Sequence, residues 1–270
     1  VGRVSVGGRL PSGAGGVGYS ACMGFATTAR HDRIDALRGV AIAWMTVFHF
    51  CFDLNWFGWW RQDFYRDPFW TWQRVAIVSL FLFCAGLGQA AANTQGQGWP
   101  RFWRRWAQVA GCALLVSAAS WLAFPKSFIY FGVLHGIAVM LVVVRLTAGW
   151  GGWLWLAGVV AIGLKFAAQA AHDAGFAPEV LNAPVLNWLG LIGRKPVTED
   201  YVPLVPWLGV MWWGMAAGQW LLRRHPRVVG GPIPDAARPL AWMGRWSLSW
   251  YMLHQPVMIG LLAAFTWIVR

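Results

Sequence analysis

The sequence predicts an all-α polytopic membrane bundle of about seven transmembrane helices with a cytoplasmic N-terminus, and three observations predict it. Of 270 residues, 58% are hydrophobic and only 12% are charged, with 22 tryptophans and a mean hydropathy of +0.48. That is far from the balance of a soluble domain. The apolar residues fall in continuous runs close to the roughly 20 residues a helix needs to cross a ~30 Å hydrocarbon core, with none of the period-2 alternation of a barrel strand. Basic residues concentrate in alternate connections, as the positive-inside rule requires.

In chain order, residues 1–29, VGRVSVGGRLPSGAGGVGYSACMGFATTA, are Gly-rich and lack a continuous apolar h-region. They are expected to be a disordered tail or a mis-assigned start, with Met23 as the true first residue, and not a cleavable signal peptide. Residues 30–270 form one transmembrane domain, whose candidate spans fall at 37–58, 73–92, 107–124, 130–146, 152–171, 202–222 and 242–268. The third and sixth are free of charge, as is VAIVSLFLFCAGLGQAAA of the second. The fourth is short and holds His135, the fifth carries Lys165, and the seventh holds His254.

Arg30, Arg33 and Arg38 flank the first span, Arg101, Arg104 and Arg105 lie in the second connection, Arg145 in the fourth, and Arg223, Arg224, Arg227, Arg238 and Arg245 in the sixth. Seven crossings put all of these on one side, so the N-terminus is expected in the cytoplasm. The formal net charge of +12 is then a topology and lipid-headgroup signal and not a nucleic-acid one. Tryptophans such as Trp56, Trp59, Trp60, Trp70, Trp72, Trp103 and Trp106 collect at segment ends as an aromatic belt. The four cysteines have no CxxC spacing and three lie inside predicted spans, which argues against a metal site or a disulfide framework. There is no Walker loop, GxGxxG, GxSxG or clear internal repeat.

The chemistry therefore falls to polar groups inside the membrane, which are expensive to keep there and mark function by default. In LRGVAIAWMTVFHFCFDL, Arg38 and His49 are eleven residues apart, three helical turns plus about 20°, so they share a face with ~16 Å between them along the axis. Asp53 lies one turn beyond His49 on the same face. An imidazole titrates near neutrality and moves protons, and a carboxylate one turn away is suited to orient it. A buried structural pair is the competing reading, and Arg38 equally suits a topology role. His254 in WSLSWYMLHQPVMIGLL is followed by Gln255 and Pro256; the proline is expected to free a carbonyl, kink the helix and open room beside the ring. His135 in FGVLHGIAV sits between Gly132 and Gly136, which allow close helix approach. Asp200 lies with Glu199 and Tyr201 at the outer mouth of the sixth span.

Four stretches, RIDALRGVAIAWMTVFHFCFDLNWFG, FGVLHGIAV, DYVPLVPWLGV and SLSWYMLHQPV, together resemble the bacterial branch of the heparan-alpha-glucosaminide N-acetyltransferase catalytic-domain family. That family belongs to a transmembrane acyltransferase superfamily that includes the acyltransferase-3 proteins, and Arg38 to His49 is similar to their Arg-x10-His motif. The resemblance covers most of 33–262. It implies transfer of an acetyl or other short acyl group from cytoplasmic acyl-CoA to an amino or hydroxyl group of a sugar or glycan acceptor at or across the cytoplasmic membrane. It also implies no tightly bound cofactor, with acetyl-CoA as co-substrate. Arg38, Arg104 and Arg105 are then expected to bind CoA phosphate, His49 to act as general base or acyl carrier, Asp53 to orient it, and His254 to assist proton transfer. His135 and Asp200 are expected at the acceptor. Membrane lipids are the other expected partners, no nucleic acid is, and a homo-oligomer is compatible with the sequence. The lysosomal members have more spans and a luminal extension, which makes heparan sulfate itself a poor expectation here. The rival reading is a proton-coupled transporter relaying protons through His49, Asp53, Lys165, His135 and His254; a purely structural membrane protein is the third.

Overall fold

The computed structural model describes residues 1–2 and 31–269; Arg30, Cys22 and nearly all of the expected tail lie outside the described residues. Among the described residues there is no strand, only an isolated bridge between Phe131 and Tyr201, and every predicted span contains a helix. These are α1 (Asp32–Trp56), α2 (Pro68–Thr94), α3 (Trp99–Ala123), α4 (Val133–Leu146), α5 (Trp153–Asp173), α6 (Leu204–Arg224), α7 (Pro226–Gly230), α8 (Arg238–Arg245) and α9 (Ser247–Val269). Five of them, α1, α2, α3, α5 and α9, are long and apolar enough to cross a membrane. At 14 residues, α4 is only about 21 Å long.

Local sequence explains the ends. Asp67 caps α2, accepting from the Phe69 N–H at 2.8 Å, with Pro68 at the first helical position where its missing N–H costs nothing. Pro100 and Pro239 stand one residue further in, at the second position of α3 and α8, still within the first turn.

The expected seventh span, 242–268, is divided. Its first residues belong to the short amphipathic α8, and α9 starts afresh at Ser247 after the break at Trp246. Three contacts explain the division. Gly244 lies so close to α1 that a Cβ there would fall on the Asp35 carbonyl, and Gly39 faces the Leu240 carbonyl in the same way. Arg245 also pairs with Asp32 at 2.8 Å, tying α8 to the start of α1. Downstream, α9 continues as one helix through Pro256.

At the centre is α6, packed on α2, α5 and α4, while α1 packs on α2, α8 and α9, and α3 on α4. Backbone also meets backbone at Gly86 and Gly214 between α2 and α6, and at Gly158 and Gly209 between α5 and α6. Small residues permit such approach where hydrophobicity itself cannot drive helices together in lipid. Leu82, Met140, Leu154, Met211 and Met215 fill the core around them.

The connections gather at two ends. At one, Arg145 of α4 donates to the Gln97 carbonyl between α2 and α3, and Arg33 donates to the Pro232, Arg227 and Val228 carbonyls. At the other, Ser127 donates to Glu199 at 2.6 Å, the Val133 N–H to Asp200 at 2.7 Å, and the Trp59 indole to Thr266 at 3.0 Å.

Candidate active site

His49, Asp53 and His254 are brought together where α9 crosses α1. The imidazoles of His49 and His254 face each other with centroids 5.2 Å apart and planes at 60°. His254 Nδ1 lies 2.8 Å from the Tyr251 carbonyl and 3.2 Å from that of Trp250. Both are acceptors, so Nδ1 carries the hydrogen and, in the neutral ring, Nε2 carries a lone pair. That Nε2 is buried and has no partner, and the same is true of His49 Nδ1.

Asp53 is 3% exposed. Its Oδ1 accepts a hydrogen bond from Gln255 Nε2 at 2.8 Å and not from His49. Helical spacing puts the carboxylate one turn from His49 and says nothing of Gln255, because that partner comes from a helix some two hundred residues away. The signal that points to it is its place beside His254. Asp53 Oδ2 and Gln255 Oε1 are also buried without partners. Four unpartnered polar atoms thus crowd one junction of two helices, although buried polar groups are nearly always paired.

Tyr251, three residues before His254 on α9, adjoins the cluster. Its ring is 5.8 Å from that of His254. Burial pushes the Asp200 carboxyl up, an effect partly offset by the Val133 N–H, Lys195, the Tyr201 N–H and Arg74. Burial likewise pushes the Lys195 amine down, with Arg74 adding to it and Asp200 and Glu199 opposing.

The remaining candidates lie elsewhere. His135 and Asp200 both serve the N-terminus of α4. His135 Nδ1 accepts from the Gly132 N–H at 3.3 Å, its Nε2 lies 3.0 Å from Ser117 Oγ, and Asp200 Oδ2 accepts from the Val133 N–H. Two of the orphan N–H groups of that helix are thereby satisfied. Arg38 pairs with Asp35 at 3.0 Å and lies between α1 and α2 beside Gly88. Arg104 and Arg105 are exposed near the start of α3, where with Arg101 and Gln108 they line an open recess of about 570 Å³.

Residues 30–256, a span containing every one of these groups, match the family described as heparan-alpha-glucosaminide N-acetyltransferase, catalytic. The chain belongs to this family. Membership and the five apolar helices together make it an integral membrane protein of an acetyltransferase family. Comparison with curated proteins and with solved structures gives no match. Within this member of the heparan-alpha-glucosaminide N-acetyltransferase catalytic family, the α1–α9 junction is the place where imidazole, carboxylate and amide converge.

Proposed function

We propose that the chain transfers an acetyl group from cytoplasmic acetyl-CoA to the amine of a sugar-type acceptor presented at the opposite face of the cytoplasmic membrane. The observation that carries this is the set of unpartnered acceptors at the α1–α9 junction: His254 Nε2, Asp53 Oδ2 and Gln255 Oε1. A protonated primary amine offers three N–H donors, matching three acceptors. A hydroxyl offers one.

In the reaction, one ammonium proton passes to His254 Nε2 and the freed nitrogen attacks the thioester carbonyl. His49, across the gap, donates to the developing oxyanion, and Asp53 accepts from an N–H of the nitrogen, which turns positive as it attacks. Cleavage of the C–S bond releases CoA, whose thiolate takes the second N–H proton. Of the expected residues, His49, Asp53 and His254 act at the reacting atoms, while Arg104 and Arg105 bind CoA phosphate in their recess, with Arg38 on the same end of the bundle.

Seven crossings, with α4 and α6 added to the five long apolar helices, put the Arg-rich end in the cytoplasm. The sorting of connections supports this, since Arg33, Arg145 and Arg245 bond within one end and Glu199 and Asp200 within the other.

The test is purified protein in liposomes with acetyl-CoA and a panel of amino sugars, reading CoA release. Release with glucosamine but not glucose, lost in His49→Ala and kept in outward-facing Val47→Ala, is expected. No CoA release or binding with any acceptor, alongside flux driven by a pH gradient, would overturn it in favour of proton-coupled transport. Acetyl found on His49 by mass spectrometry would replace direct transfer with a two-step route.

A further inference from the structure

We infer that Gln255 is a positioning residue: its side-chain amide holds one oxygen of Asp53 so that the other is presented to the acceptor beside the lone pair of His254. The inference rests on the acetyl-transfer reading. Gln255 follows His254 on α9 and reaches α1, where Nε2–H donates to Asp53 Oδ1 at 2.8 Å.

Three features separate this from an ordinary buried contact. The first is direction. An amide N–H aimed at a carboxyl oxygen favours the charged carboxylate, which is costly to bury in a membrane helix without a donor. The second is incompleteness: a pair present only to satisfy itself would not leave Asp53 Oδ2 and Gln255 Oε1 both buried and unpartnered. The third is register. His254 meets His49 and its neighbour Gln255 meets Asp53, so successive residues of α9 address groups one turn apart on α1. One helix therefore sets both the proton acceptor and the carboxylate: the Gln255 N–H acts through Asp53, while its Oε1 stays open to the amine.

Gln169 provides a matched control, because it donates to Asp173 at 2.9 Å on the exposed face of α5, away from the site. In liposomes with acetyl-CoA and glucosamine, Gln255→Leu is expected to lower kcat/KM for the amine by about 10- to 100-fold, the worth of a hydrogen bond to a charged group. The KM for acetyl-CoA should stay within about twofold, since the donor side is untouched. Gln255→Glu sets two carboxyls against each other and should move the acid limb of the pH–rate profile to higher pH. Gln169→Leu should change neither. Donor and acceptor constants moving together, or neither moving, would overturn the inference.

A second readout needs no turnover. The protonated-carboxyl infrared band of Asp53, identified by its loss in Asp53→Asn, should appear at higher pH in Gln255→Leu than in the unaltered protein. An unchanged titration overturns the inference even in a protein that transfers no acetyl group, whereas absence of transfer with a shifted band overturns only the functional reading.

Discussion

The indole of Trp250 donates to Thr46 Oγ1 at 2.9 Å, and the Thr46 hydroxyl passes its own hydrogen to the Ile42 carbonyl at 2.8 Å. This pair lies one turn from His49 on α1 and one turn from His254 on α9. With the two facing imidazoles and the Asp53–Gln255 bond it makes three successive rungs between helices otherwise joined by apolar contact.

Thr46→Val removes the acceptor and leaves the indole N–H unpaired between helices. Interhelical hydrogen bonds in membranes average about 0.6 kcal/mol, so thermal unfolding in detergent should register a loss of that order, with a fall in transfer rate as the histidines part. Thr46→Ser keeps the oxygen and should behave as the unaltered protein. Equal stability in all three would show that the rung contributes nothing.

His254→Asn preserves a side-chain N–H able to reach the Tyr251 carbonyl but removes the lone pair carried by Nε2. The expected result is an intact fold with kcat reduced by about 10²- to 10⁴-fold, the range for loss of a general base. Steady-state kinetics beside a thermal melt checks it; full activity would remove His254 from proton transfer.

Arg104→Gln and Arg105→Gln should each raise the KM for acetyl-CoA about tenfold while leaving the amine KM in place, and the effect should shrink as salt rises. Acetyl-CoA saturation curves at two ionic strengths decide this. Residues that serve topology alone would leave both curves unchanged.

Gly39→Ala and Gly111→Ala form a contrasting pair. A Cβ on Gly39 meets the rigid backbone of Leu240, whereas one on Gly111 meets nothing within 4 Å. The first should destabilise by about 1–3 kcal/mol, the cost of overpacking, and separate α8 from α1. The second should be neutral or stabilise by up to about 1 kcal/mol through helix propensity. Comparison of melting curves tests both.

Asp200 gives a pH prediction whose sign is fixed. Its folded-state carboxyl is pushed above the ordinary 3.8 by burial. Between those two values the folded chain keeps a proton that the unfolded chain has lost, so stability falls as pH rises through that window and then levels. Asp200→Asn still accepts from the Val133 N–H and should flatten this slope. An unaltered slope in melts across the mildly acidic range would assign it to other groups.

The α1 stripe was legible in the sequence because Arg38, His49 and Asp53 belong to one helix, where spacing alone determines the shared face. The register between helices was not legible. Whether Asp53 bonds to His49 or to Gln255 depends on how α9 docks, and docking is decided by contacts such as Thr46–Trp250. Hydropathy also missed the break at Trp246, since residues 242–268 taken together are apolar enough to read as one span despite Arg245, Ser247 and Ser249. The break follows from Gly244 lying against the Asp35 carbonyl and Arg245 meeting Asp32. His135 and Asp200 looked alike as polar residues near a membrane surface, and their common attachment to the start of α4 became visible only when Gly132 and Val133 were placed opposite them.

Only Leu262 of α9 is buried among its described residues, and that helix supplies His254 and Gln255 to partners on α1 some two hundred residues upstream. During synthesis α1 enters the bilayer with its histidine and carboxylate long before their counterparts leave the ribosome. On the proposed mechanism the nascent chain cannot transfer acetyl until α9 docks, because His254 and Gln255 are not yet opposite His49 and Asp53.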